Sequence, residues 1–225
     1  MNAPKRVLDL FCGGGGAAMG LHRAWPKAKI TGVDLHPQKN YPFNFVQASV
    51  FELDFEWLSE FDFLWASPVC KGYSALANYG TNRHRKHQWP DQIPQVRNTL
   101  RATGKPWCIE NVLRSPLETD QFLCGQMFGL PLIRHRLFET NFFWLRPEHT
   151  CAPRGATRRF DDNRVFIITG HGGGPGCKSV QNRSMHWTKP QGIRALGIDW
   201  MTRKEMAEAV PPVYSEYIAR QVRFA

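Results

Sequence analysis

Cys70 lies four residues beyond an apolar run, Phe61 to Ala66, inside the polar stretch Ser67-Pro68-Val69-Cys70-Lys71-Gly72-Tyr73-Ser74. The run reads as a buried strand stopped by the Ser-Pro pair, and in an open parallel sheet ligands gather outside the carboxyl ends of strands. A thiol in that place is positioned to attack, and Lys71 beside it favours the thiolate. The plain alternative is a buried structural cysteine, but a polar, glycine-containing loop is a poor place to hide one. A second strand, Pro106 to Glu110, delivers the polar pair Glu110-Asn111 at its end, and Arg134 and Arg136 open an alternating stretch, Arg134 to Trp144, that reads as a strand or hairpin. A thiol nucleophile, a carboxyl acid and a cationic anchor are together the parts of a group-transfer site.

The elements that must position these groups begin at the N-terminus. Arg6 to Phe11 reads as a strand, Cys12-Gly13-Gly14-Gly15-Gly16 as a loop, Ala17 to Trp25 as a helix ended by Pro26, and Lys29 to Asp34 as a second strand. Glycines let the backbone turn sharply and approach a ligand closely, and a carboxylate such as Asp34 at the end of the second strand accepts hydrogen bonds from ribose hydroxyls. Gly13, Gly15 and Ala18 also have the dinucleotide spacing, so the loop by itself says only that a nucleoside-containing cofactor binds. Phe45 to Ala48 reads as a further strand. Ile93, Val96 and Leu100 make a helical stripe closed by Gly104, and Thr119 to Met127 reads as a helix closed by Gly129. Thr202 and Glu205 form a capping box for a short helix, and Pro211-Pro212 starts a last helix with Val213, Tyr217, Ile218 and Val222 facing inward. From Cys151 to Gly197 the sequence turns Arg-, Gly- and Pro-rich around one strand, Arg164 to Thr169. That predicts a core of residues 1–150 plus 195–225 with a short insertion, 151–194.

Charge separates the chain in the same way. The formal net charge is +10, of which residues 71–105 (seven Lys/Arg, one Asp) and 151–194 (eight Lys/Arg, two Asp) supply +12, leaving the rest near neutral. Two concentrated basic segments are the footprint of a polyanion partner, against the plainer reading of a solvated basic face. The long polar stretch 71–91 is a functional loop by length. No apolar run approaches a membrane span, and Met1 to Lys5 leads straight into a strand, so a cytoplasmic protein is expected. Six unpatterned cysteines point to free thiols. His149, Cys151, His171 and Cys177 could form a metal set, but His-x-Cys fits no common zinc module, and no metal is assigned. The Gly-rich run His171 to Cys177 reads equally as a phosphate nest or as a flexible turn.

In order along the chain stand Asp9-Leu-Phe-Cys-Gly-Gly-Gly-Gly16, Gly32-Val-Asp34, Ser67-Pro-Val-Cys70, Glu110-Asn-Val112, Arg134-His-Arg136 and Ala209-Val-Pro-Pro212. With these the chain resembles the cytosine-C5 DNA methyltransferase family. The resemblance implies an α/β Rossmann-like methyltransferase fold with a mixed, mostly parallel seven-stranded sheet and helices on both faces. It implies S-adenosylmethionine as cofactor, leaving as S-adenosylhomocysteine, in a pocket drawn from Asp9, Phe11, Gly13, Gly15, Gly16, Asp34, Leu35, Ser49, Val50 and Pro68. Catalysis falls to Cys70 attacking C6 of cytosine, a protonated Glu110 at N3, Arg136 at O2, and Arg134 on a phosphate or on the loop. The target atom is inaccessible in a duplex, so the base must be flipped out. Double-stranded DNA would meet Lys71, Ser74, Arg83, Arg85, Lys86, Arg158, Arg159 and Arg183, with residues 151–194 in the place of a short target-recognition region. A monomer is favoured.

The chain departs from the family at several positions. Val69 and Lys71 flank the nucleophile where Pro and Gln are usual. Ser49 replaces an acidic residue at the adenine, Glu208 an Asn, and Leu132 a Gln. Three other readings stay open: an RNA cytosine-C5 methyltransferase, a non-catalytic nucleic-acid-binding relative, and an NAD-dependent oxidoreductase suggested by the glycine spacing alone.

Overall fold

The computed structural model describes residues 3–73, 89–149, 168 and 187–224. Seven strands, β1 (Arg6–Leu10), β2 (Lys29–Asp34), β3 (Asn44–Gln47), β4 (Phe63–Ala66), β5 (Trp107–Asn111), β6 (Phe122–Leu123) and β7 (Arg136–Thr140), form one sheet in the order β3-β2-β1-β4-β5-β7-β6. The first five are parallel and β7 runs antiparallel to both of its neighbours. The helices are α1 (Gly16–Ala24), α2 (Phe55–Ser59), α3 (Ile93–Ala102), α4 (Lys189–Leu196), α5 (Arg203–Glu208) and α6 (Pro212–Ala219).

The central strands are apolar on both sides because both faces are covered. In β4, Phe63 and Trp65 join Val7, Leu21, Tyr214 and Ile218 in the core beneath α1 and α6, whereas Leu64 and Ala66 join Leu8, Leu58, Ile93 and Leu100 beneath α2 and α3. This is the two-faced, mostly parallel sheet that the sequence predicts. A third cluster, Leu132, Ile168, Trp187, Ala195, Leu196, Ile198, Met201 and Met206, packs α4 and α5 onto the segment before β7. Helix α4 therefore crosses the predicted 194/195 boundary. Arg97 of α3 grips Glu139 of β7 through two hydrogen bonds, Nε to Oε1 at 2.6 Å and Nη2 to Oε2 at 2.8 Å, which ties the antiparallel strand to the helix layer. No described helix is long and apolar enough to cross a membrane.

Helices α1 and α6 approach closely enough to dictate glycine. A Cβ on Gly16 would stand 2.2 Å from the Val210 carbonyl oxygen, and one on Gly20 would stand 1.9 Å from the Pro212 carbonyl oxygen and 2.1 Å from Ser215 Oγ. The two glycines lie four apart on one face of α1, and the Val210-Pro211-Pro212 turn rests on them. Ser215 Oγ donates to the Ala17 carbonyl at 2.8 Å to close the contact. Gly20→Ala is expected to cost about 3 kcal/mol by overpacking. It would be read in urea unfolding as a lower midpoint at an unchanged slope.

The structure corrects three readings. Thr119 to Met127 is not a helix: Phe122 and Leu123 pair with Leu137 and Arg136, and only Gly125–Phe128 winds, as a 3₁₀ turn closed by Gly129. The pairing to β7 outweighs local helical spacing. The inward face of the last helix is Tyr214, Ser215, Ile218 and Ala219 rather than Val213 and Tyr217, which are only partly buried, because the helix starts at Pro212 and its buried face shifts by one residue. Helices α2 and α4 were not read from the sequence. Asp54 caps α2, and Thr188, Gln191 and Gly197 bound α4. The predicted strand Arg164 to Thr169 lies outside the described residues except for buried Ile168.

Candidate active site

Parallel pairing brings the carboxyl ends of β1, β2, β4 and β5 to one edge, and antiparallel β7 begins at that edge with Arg136. In the register Glu110↔Phe138 and Asn111↔Leu137, Glu110 and Arg136 fall on the same face and diagonally across the strand pair. Their side chains meet, Arg136 Nε to Glu110 Oε1 at 2.9 Å. Ser67 completes the surroundings of Glu110. Its hydroxyl hydrogen-bonds the carboxyl group, and its Oγ accepts from Trp65 Nε1 at 3.0 Å. Burial pushes the Glu110 carboxyl above the usual carboxylate range, and the pull of Arg136, Ser67 and Arg134 only partly offsets it.

Cys70 is half-buried beside this pair. Burial pushes its thiol up, Arg136 draws it down, Glu110 pushes it up and Arg134 draws it down, so the sulfur shares one electrostatic neighbourhood with all three. The cation that favours its thiolate is thus Arg136 and not, as the sequence suggests, the exposed Lys71 next to it. The loop is held by its backbone. Asn111 Nδ2 donates to the Pro68 carbonyl at 2.9 Å, Val69 N–H donates to Gln92 Oε1 at 3.2 Å, and Tyr73 N–H donates to the Cys70 carbonyl at 3.0 Å.

Arg134 is buried. Its Nη1 donates to the Ile168 carbonyl at 2.7 Å and its Nη2 to the Ala207 carbonyl at 2.9 Å, while its own carbonyl accepts from Tyr214 Oη at 2.6 Å. Burial and neighbouring Arg136 push its guanidinium down to about 9. Of the two tasks open to it, phosphate or loop, its geometry is that of a fastener of α5 and the chain around Ile168.

The glycine loop has the features of a nucleoside cradle. Phe11 adopts a positive φ of 56°, and a Cβ built on Gly13 would meet nothing within 4 Å, so the loop faces open space there. Asp34 Oδ2 accepts from Gly13 N–H at 3.1 Å and Oδ1 from His36 N–H at 2.9 Å, which leaves lone pairs on both oxygens for ribose hydroxyls. Leu35 is 60% exposed and Phe51 38%, with Phe51 edge-on to Phe11 at 6.0 Å, so apolar walls for a base stand around the cradle. Ser49 precedes the 3₁₀ turn Val50–Glu52, with Val50 buried, and Pro68 is buried at the start of the loop that carries Cys70. Asp9 is buried with Tyr41 Oη 3.4 Å away, and burial raises its carboxyl. Gly15 and Gly16 face inward, toward Tyr41 and Pro42 and toward Val210 respectively. These acceptors and walls fit S-adenosylmethionine.

Of the residues expected to meet DNA, Lys71 is described and exposed. Ser74, Arg83, Arg85, Lys86, Arg158, Arg159 and Arg183 lie outside the described residues. Sequence reasoning missed Ser67, Gln92 and Trp200, whose Nε1 donates to the Gly14 carbonyl at 2.9 Å. Ser67 stood inside a quoted motif, but nothing in the sequence marks Gln92 or Trp200, since their partners are backbone atoms remote in the chain. Two of the departures are explained. Leu132 fills the third apolar cluster, and Glu208 is exposed at the end of α5.

No family model and no curated protein sequence matches the chain. Among solved structures, a methyltransferase of Entamoeba histolytica, EhMeth, overlays 96% of this chain and 97% of its own with a TM-score of 0.61 at 14% identity. The plantazolicin methyltransferase BpumL, solved with SAH, overlays 49% of this chain and 40% of its own at 16% identity and a TM-score of 0.34. PKMT2 of Rickettsia typhi, solved with AdoHcy, overlays 47% of this chain and 20% of its own at 22% identity and a TM-score of 0.30. The full-length overlay with the Entamoeba protein shows the fold: the chain has the Rossmann-like α/β fold of that methyltransferase.

Proposed function

We propose that the chain is a DNA cytosine-C5 methyltransferase that uses S-adenosylmethionine and works through a transient bond between Cys70 and the base. The observation that carries the reading is the meeting of a half-buried thiol, a buried carboxyl held toward its neutral form and a guanidinium, at the edge where the glycine cradle also opens. Cytosine C5 is a poor nucleophile until the ring's aromaticity is broken. Cys70 adds to C6 as thiolate, helped by Arg136. Neutral Glu110 donates to N3 as negative charge builds on the ring, and Arg136, already paired with Glu110, holds O2. When bound, the cofactor would supply an electrophilic methyl group and leave as S-adenosylhomocysteine; Asp34 would hold its ribose and Phe11, Leu35 and Phe51 would flank its base. Loss of the C5 proton to a base, with elimination of the Cys70 thiolate from C6, would restore the aromatic ring. Asn111 and Gln92 hold the loop that carries Cys70, and Arg134 fastens α5. The +12 carried by the two basic segments supports a nucleic-acid substrate.

The test is covalent trapping on 5-fluorocytosine, whose fluorine blocks release. A denaturation-stable adduct with duplex DNA, together with new 5-methylcytosine in bisulfite-sequenced DNA from cells expressing the chain, is the expected result. Trapping on RNA alone would move the substrate to RNA. No adduct on either, with S-adenosylmethionine still bound, would leave a non-catalytic binder.

A further inference from the structure

The antiparallel register Leu123↔Arg136 sets Cys124 opposite His135 where β6 and β7 begin to part. His149, on the segment leaving β7, folds back over the same place. The Nε2 atoms of His135 and His149 stand 3.1 Å apart, and one ring nitrogen of each histidine and Cys124 Sγ all lie within 4.8 Å of one another. We propose that Cys124, His135 and His149 form a zinc site. A thiolate with two imidazoles is a borderline-soft donor set suited to zinc. On a tetrahedral zinc with Zn–N near 2.0 Å, two imidazole nitrogens sit about 3.3 Å apart and sulfur about 3.5 Å from each nitrogen. The Nε2 pair is close to this spacing, and the sulfur, within 4.8 Å of a nitrogen of each ring, reaches it by closing no more than about 1.3 Å. Phe122 backs both imidazoles, with ring centroids at 5.5 Å from His135 and 5.0 Å from His149, and Arg146 lies over Phe122 at 4.4 Å. This packing orients the two rings without competing for their Nε2 atoms.

The site differs from the cysteine–histidine set considered in the sequence. It shares His149 with that set, whereas Cys151, His171 and Cys177 lie outside the described residues. It also has a structural consequence. His149 is the last described residue before the basic segment, and the His135 carbonyl accepts from Arg136 Nη1 at 2.9 Å. Zinc would pin the start of that segment to the strand that carries Arg136.

The full chain, purified from zinc-supplemented medium and freed of loose metal by gel filtration, is expected to hold about one zinc per chain by elemental analysis. In His149→Ala, an exposed position, and in Cys124→Ser the content should fall at least about tenfold as one ligand of three is lost. Cobalt(II) in the wild type should show a thiolate-to-metal charge-transfer band that Cys124→Ser lacks, and chelation should lower the melting temperature of the wild type but not of His149→Ala. His149→Ala retaining the wild-type melting curve in chelator establishes that it folds. A wild-type chain without zinc, or both variants binding zinc as the wild type does, would overturn the site. The imidazole pair would then be an ordinary N–H···N hydrogen bond.

Discussion

Cys70→Ala is expected to lower methyl transfer by at least about 10³-fold and to abolish the adduct with 5-fluorocytosine DNA, while binding of S-adenosylmethionine is kept. The separation of these outcomes follows from what holds the loop. Three of its fastenings, at Pro68, Val69 and the Cys70 carbonyl, are made by backbone atoms, so removing the sulfur leaves them in place. The cradle formed by Gly13 and Asp34 uses none of the loop's side chains. Among the described residues no other thiol can take its place, because Cys12, Cys108 and Cys124 are all buried. Burial pushes Cys12 and Cys108 upward. Isothermal titration with the cofactor and gel analysis of the trapped complex read the two outcomes separately. Transfer persisting in the variant would remove the covalent route.

The parts of this arrangement visible in the sequence are those set by local pattern. The alternation and glycine loop of residues 6–34 define β1, α1 and β2, and the carboxyl-end positions of Asp34, Cys70 and Glu110 follow from the parallel order of their strands. What the sequence hid depends on contacts between remote segments. Glycine at 16 and 20 reads as loop and helix punctuation until the Val210–Pro212 carbonyls are set against it. Arg134 and Arg136 look alike two residues apart, and a continuous strand would set both on one face, yet Arg134 lies before β7 and reaches the carbonyls of Ile168 and Ala207, whereas Arg136 begins β7 and reaches Glu110. Cys124 and His135 are eleven residues apart in the sequence, and only the β6–β7 register brings them together. The activation of Cys70 was assigned to its chain neighbour Lys71 for the same reason, since adjacency in sequence is visible and adjacency across strands is not.

Glu110→Gln is expected to slow transfer by about 10²–10³-fold and to change the shape of its pH dependence. The wild-type reaction needs Glu110 protonated and Cys70 ionised. A carboxyl ordinarily ionises well below a thiol, and burial raises both groups; with that order kept, the carboxyl loses its proton before the thiol as pH climbs. The reactive form is therefore a minor member of the singly protonated pair, and the rate follows a bell between the two apparent values, which belong to the coupled pair. Gln cannot deliver a proton, but its amide still donates to N3. The variant's rate should rise with thiol ionisation and level off, without the descending limb. Stability supplies a second reading that does not depend on the substrate. A carboxyl raised on folding favours the native state below its unfolded value, and that contribution is lost as pH rises through the folded value. Wild-type stability should accordingly decline across that interval, measured by urea midpoints from acid to neutral pH, and the Gln variant should lack this component. If the midpoints of the two proteins run parallel across the interval, Glu110 is ionised throughout, held by Arg136 as a simple ion pair, and its part as the acid at N3 is lost.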